Sequence, residues 1–280
     1  MPRDVPMPQA SWRASLALAF ERRDDRTILA SRRHDGPLVV QKSLHPEGKA
    51  PCHAIVVHPP GGIAGGDELD IEIRAGAGSH ALLTTPGAGK WYRSAWAGAR
   101  QQVRIDAAAD SIVEWLPQES IVFDGAIATL GFNARLEESA RLVAWDIVCL
   151  GRTGSGERFA RGSLRLDMRI DRAKRPLWIE RGTLEPGSRA AASPAGLANR
   201  TVFGTFVVAG VELGDTTLAA CRAERPVEGE SAVTRMPHLF IARYRGDSGE
   251  AARRYFAALW RVVRPEAAGI AAVEPRIWRT

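Results

Sequence analysis

The run TTPGAGKWYRS, Thr84 to Ser94, sets a lysine behind a glycine-rich turn, the pattern of a loop that wraps phosphate oxygens in backbone N–H groups. It departs from that pattern twice: Thr84 stands where G-x-x-x-x-G-K-[ST] needs its first glycine, and Trp91 stands where a hydroxyl must meet magnesium. A β-rich chain also supplies no helix N-terminus after Lys90 to complete an anion site. Nucleotide binding is therefore not expected here. A second cluster, HPPGGIAGGD (58–67), lacks the G-x-G-x-x-G spacing and reads as a proline-stiffened turn after the strand AIVVH. Its glycines can still bring backbone close to a partner or channel.

Acid–base chemistry is the other option on offer. Glu114, Glu119 and Asp124 fall close together around WLPQES, and paired carboxylates can act as acid and base in a β-helix hydrolase or lyase. Alternation argues against it. Glu114 and Glu119 are an odd number of residues apart and would face opposite sides of one strand, which Pro117 interrupts in any case. The three cysteines, Cys52, Cys149 and Cys221, form no CxxC pair, so neither a disulfide framework nor a zinc knuckle is indicated.

The elements that position such residues are mostly strands. Trp12, Ala14, Leu16, Leu18 and Phe20 share one face of a period-two pattern, as do Leu69, Ile71 and Ile73, while Leu164, Leu166, Met168 and Ile170 alternate with Arg165, Asp167 and Arg169. Further strand-like runs cover 54–58, 80–85, 101–106, 111–116, 141–150, 177–182, 201–211 and 238–244, with Gly, Pro, Asp and Asn between most of them. One segment differs. In DSGEAARRYFAALWRVVRPE, Tyr255, Phe256, Leu259, Trp260 and Val263 recur at helical spacing; Asp247 and Glu250 read as a capping-box start, and Pro265 as the stop. GSRAAASPAGLA, 187–198, reads as a surface loop or a short helix. No clean repeat of 20–50 residues is visible. The expectation is one mainly β domain over 1–280, with stacked antiparallel or solenoid-like layers and a small helical portion near the C-terminus.

The bulk numbers fit a cytoplasmic globular protein. At 280 residues and 45% hydrophobic, the chain can bury a substantial core. No apolar run approaches a membrane span, and SLALAF is shorter than a signal-peptide core. The net charge of +6 comes from scattered arginines; Arg22, Arg23, Arg26, Arg32 and Arg33 are interrupted by Asp24 and Asp25, which speaks against a nucleic-acid surface.

HPPGGIAGGD, TTPGAGKWYRS, WLPQESIVFDGA (115–126), AWDIVCLGRTGSGERFARG (144–162) and PRIWRT (275–280) together resemble, in order and spacing, the UreD (also UreH) family of urease accessory proteins. The resemblance spans the chain, although 185–200 and 222–236 carry no matching motif residues. It implies a non-enzymatic chaperone of urease maturation, β-rich and solenoid-like, that binds UreF, through it the GTPase UreG, and apo-urease, so that nickel reaches the urease active site. No tightly bound cofactor is implied; Ni2+ is transient cargo. Imidazole, carboxylate and thiolate all suit nickel, and the sequence offers His58, Asp67, Asp146, Cys149 and Glu157 in these motifs and Glu180 in LWIERG (177–182). None of these forms a tight pair such as H-x-H. The expectation is a polar passage lined by some of the carboxylates, with arginine pairing or turn closure as the bland alternatives. Lys90, Tyr92, Arg93, Arg276 and Trp278 are the partner-facing candidates, and either the core or a partner buries Trp278.

Overall fold

A computed structural model describes residues 11–279. The period-two runs build two sheets that face each other. The first has seven strands in the order β14 (Arg175–Leu184), β13 (Ser163–Arg172), β11 (Ile127–Leu136), β8 (Ala99–Ala107), β5 (Glu68–Ala75), β1 (Arg13–Arg23) and β2 (Arg26–Asp35). The second runs β16 (Glu230–Met236), β17 (Leu239–Gly246), β15 (Val202–Ala209), β12 (Arg141–Leu150), β9 (Ile112–Trp115), β6 (His80–Thr84), β4 (Pro51–Val57) and β3 (Val39–Val40), and short β10 (Ser120–Val122) joins β12 to β7 (Gly89–Trp91).

The middle of each sheet is parallel, because the chain crosses from one sheet to the other and back. Each turn of this solenoid adds a strand to both sheets. Register makes the repeat visible where sequence did not: Glu68 lies beside Arg100, Arg100 beside Thr129 and Thr129 beside Arg165. The coils share alternation rather than a motif, and turns of unequal length hide the period.

The inner faces bury Leu16, Leu18, Ile71, Ile73, Ile105, Val113 and Val207, among others, in one core between the sheets. On the outer face of the first sheet, side chains of opposite sign stand next to each other. Arg100 reaches Asp70 at 3.1 Å, Arg104 reaches Asp70 at 3.0 Å and Arg181 reaches Asp167 at 2.7 Å. Much of the scattered arginine goes into this ladder, where each exposed pair contributes at most about 1 kcal/mol.

The second sheet is buried on both faces, which is why RLVAWDIVCL reads as nearly continuous apolar sequence. Its far side carries a second core with α2 (Asp215–Ala223) and α3 (Gly249–Ala268), including Trp145, Phe206, Phe240, Phe256 and Trp260. The short segment α1 (Arg189–Ala192) occupies the stretch left open between loop and helix.

Helix α3 corrects the expected boundaries at both ends. Ser248, not Asp247, caps it, accepting the Ala251 N–H at 3.1 Å, while Asp247 accepts from Thr201 and Arg200. Pro265 does not stop it; the helix runs on to Gly269, whose left-handed backbone (φ 73°) lets its N–H reach the Pro265 carbonyl at 3.0 Å. Burial of Ala267 and Ala268 on the same face offsets the hydrogen bond that a mid-helix proline removes. Helix α2 was not foreseen.

Arg264, fully buried on α3, lies between Glu114 of β9 and Glu47. Its Nη2 donates to Glu114 Oε1 at 2.9 Å and to Glu47 Oε1 at 2.8 Å. His80 and the Trp260 Nε1–H complete the shell of Glu114 at 2.7 and 2.6 Å, and His53 lies 2.7 Å from Glu47. The chain's own core also takes Trp278, which packs 5.3 Å from Trp145 and 5.4 Å from Trp260 and donates to Thr84 Oγ1 at 2.9 Å.

One glycine shows how closely the coils stack. Gly162, at φ 99°, enters β13 where an added Cβ would sit 2.1 Å from the Ala126 carbonyl oxygen. Gly162→Ala is expected to cost about 2–3 kcal/mol in denaturant unfolding, from left-handed backbone plus displacement of β11; a cost under about 0.5 kcal/mol would show that the coils give way freely.

Candidate functional site

The sheets do not close on each other everywhere. Between them lies a cavity of about 330 Å³, reached past the loops 58–63, 85–90 and 117–120. Its walls are mostly apolar, with Leu69, Ile71 and Val103 from the first sheet and Ala144 and Val207 from the second. Strand alternation delivers the polar groups. Asp146 on β12, Thr205 on β15 and Arg243 on β17 are register partners in adjacent strands, so they form one row across the second sheet.

Opposite this row stands Glu180 of β14, beside Met168 of β13. Arg243 Nη1 donates to Glu180 Oε1 at 2.7 Å and to Thr205 Oγ1 at 2.8 Å. Glu180 Oε2 is buried and has no hydrogen-bond partner among the described residues. Burial, then the negative charge of Glu180, pushes the Asp146 carboxyl up to about 6. Asp146 is only partly covered, and what it faces is the inter-sheet cavity. Glu180 and Arg243 themselves line a second space, a neighbouring cleft of about 620 Å³ bounded also by Leu184, Gly196, Phe203 and Tyr244.

The structure thus brings Asp146 and Glu180 together and separates the other candidates. His58 lines the mouth, half-buried, and burial lowers its pKa, leaving a neutral imidazole at pH 7. Asp67 closes the glycine turn: its two oxygens accept the Trp12 and Ala64 N–H groups, each at 2.8 Å. Cys149, an odd number of residues from Asp146, faces the helices, and burial pushes its thiol up to about 12, so it is no ready ligand. Glu157 is tied to Arg152 at 2.6 Å and to the Asp124 N–H in a surface loop. Among the described residues no three His, Cys, Asp or Glu side chains converge as a metal-holding group.

The partner-facing candidates also divide. Lys90 is exposed at the cavity mouth on β7, with no helix after it, which fits the broken phosphate loop. Tyr92 is 40% exposed and packs edge-on against Phe123 at 5.2 Å; Arg93 and Arg276 are exposed; Trp278 is buried in the core and presents no apolar face outward. The acid–base trio is dispersed. Glu114 is held by Arg264, Glu119 lies 3.6 Å from Arg253 at the cavity wall, and Asp124 pairs with Arg161.

Sequence reading missed Thr205 and Arg243. The signal was there: in TVFGTFVVAGV, Phe203, Thr205 and Val207 share the inner face, and Arg243 sits on the inner face of β17. No helix among the described residues is long and apolar enough to cross a membrane.

The family described as UreD urease accessory protein matches residues 13–279. The Urease accessory protein UreD of Azoarcus sp. (strain BH72) is 50% identical over 272 residues, covering 97% of this chain and 95% of its own. That of Dechloromonas aromatica (strain RCB) is 49% identical over 284 residues, covering 100% and 99%. A third, from Methylobacillus flagellatus, is 47% identical over 270 residues, covering 96% and 95%.

Proposed function

Because the chain belongs to the UreD family of urease accessory proteins, we propose that it serves urease maturation as a non-catalytic scaffold that carries nickel through its inter-sheet cavity. On this reading it binds UreF, through it UreG, and apo-urease, and the exposed Lys90, Tyr92, Arg93 and Arg276 are candidate contacts. The observation that carries the passage is that Asp146, lining the inter-sheet cavity, lies within electrostatic reach of Glu180, which lines the neighbouring lateral cleft and whose buried Oε2 has no hydrogen-bond partner among the described residues.

Charge and ligand count suit transit rather than storage. Arg243 pairs with Glu180 alone and leaves Asp146 without a cation of its own, so the two carboxylates attract a divalent cation. Only oxygen ligands stand there, and divalent nickel prefers nitrogen or sulfur partners for tight holding. The neutral imidazole of His58 at the mouth can hand the ion inward. An ion that is held weakly is an ion that leaves.

The test is urease activation at limiting nickel, with Asp146→Asn and Glu180→Gln chains that still co-purify with UreF and apo-urease. Activation is expected to fall about tenfold in each, as a charged contact worth roughly 1.4 kcal/mol is lost. Normal activation by both variants in intact complexes would defeat the passage.

A further inference from the structure

Two arginines occupy the inner face of β17, and they are held very differently. Arg245 donates through Nη1 to the Gly196 carbonyl at 2.7 Å, also bonds the Pro194 carbonyl, and reaches Glu230 at 2.7 Å. It is fixed at several points of its fork. Arg243 uses a single nitrogen for both of its bonds, to Glu180 and Thr205, and is otherwise steadied by the Trp178 ring 5.9 Å from its guanidinium carbon. Its side chain is 44% exposed, toward the lateral cleft.

Position adds to this contrast. Thr205 and Trp178 line the inter-sheet cavity, whereas Glu180 and Arg243 line the cleft, so the guanidinium stands where the two spaces meet. It is also the cation that pairs with Glu180, at 2.7 Å.

Resting on the passage reading, we propose that Arg243 is the resident counter-cation of the Asp146–Glu180 site, a positioning residue that closes the cavity toward the cleft and swings out when a divalent cation takes its place. A divalent ion beside Glu180 Oε2 repels the guanidinium and satisfies the oxygen that the guanidinium leaves bare. Exchange of one cation for another keeps Glu180 paired throughout, so the ion is neither excluded by an empty apolar gap nor trapped by an uncompensated acidic pair. The lateral cleft gives the displaced side chain room to move without unfolding the strand.

The experiment is competition of the purified full chain, with its partners where they co-purify, against a chromophoric chelator for Ni2+, together with urease activation. Arg243→Met is expected to bind Ni2+ about tenfold more tightly than wild type, since the competing cation is gone, and to activate urease more slowly in an intact complex. The gain in affinity should vanish in the Arg243→Met/Glu180→Gln double variant, and Arg243→Lys should stay close to wild type. If Arg243→Met fails to fold, Arg243→Gln, which keeps a donor for Thr205, takes its place in the same comparison. Unchanged affinity in the neutral variant, with Glu180→Gln still impaired, would overturn the counter-cation and leave the passage standing. Unchanged affinity and activation in Glu180→Gln and Asp146→Asn would remove the passage and the counter-cation together.

Discussion

Arg264→Met is expected to destabilise the protein by about 4 kcal/mol at pH 7.5, the largest single-residue cost foreseen in this fold. The guanidinium is fully enclosed and is shared by Glu114 and Glu47. Removing it leaves two buried carboxylates facing each other across a hydrophobic helix seam. Burial alone would raise the Glu114 carboxyl, but His80 and Arg264 outweigh it and hold the value near 2. A carboxyl depressed in the folded state contributes stability above its unfolded pKa, 4.5 here, and that contribution is lost as pH falls from 4.5 toward 2. Wild type and variant should therefore converge in stability below pH 4.5. Urea unfolding at pH 7.5 and pH 3 measures both; a gap that stays constant across that range would mean the charge network is not what Arg264 supports.

Asp146→Asn should act in the opposite direction on stability while lowering urease activation. Its carboxyl is raised from 3.8 to about 6, so folding discourages ionisation. Below pH 3.8 both states hold the proton and the residue is neutral to folding; above about 6 the folded state bears the whole penalty. At about 1.4 kcal/mol per unit that is about 3 kcal/mol, reduced to about 2 because the group faces a cavity that water can enter. The variant is expected to gain about 2 kcal/mol at pH 8 and nothing at pH 3.5, while urease activation drops. A variant less stable than wild type at pH 8 would show that Asp146 makes a favourable structural contact instead.

Most strands were legible because one-sided burial imposes alternation, and β1, β5 and β13 fall within a few residues of the expected runs. Helix α3 was equally plain from its apolar stripe. What escaped was context. β11, IATLGFNARL, is a central strand, but alanine, glycine and asparagine blur its pattern. Helix α2 buries only Leu218 and Cys221, too little to stand out from DTTLAACRA. Pro265 misled because local preference yields to burial of the turn that follows it.

The site divides along the same line. Asp146 and Glu180 were visible as charges inside apolar strands, which need a partner or a hydrated space. Asp67, Cys149 and Glu157 come from the same motifs, yet turn closure, strand parity and a surface ion pair place them elsewhere. Parity alone would have excluded Cys149. Arg264 had a signal too, a lone cation one turn beyond Trp260 on the buried stripe, but its partners come from Glu47 and Glu114, far away in sequence.

The two sheets on either side of this space differ in stiffness. Asp146, Thr205 and Arg243 sit on a sheet packed on both faces, against the other sheet and against α3. Glu180 sits on β14, an edge strand with β13 as its one neighbour in the sheet and an exposed far face. Thermal breathing that widens the space must therefore come from the β14 side, and amide exchange in β14 should outpace that in β12 and β15. The second sheet is the anvil, and the rim carrying Glu180 is the spring.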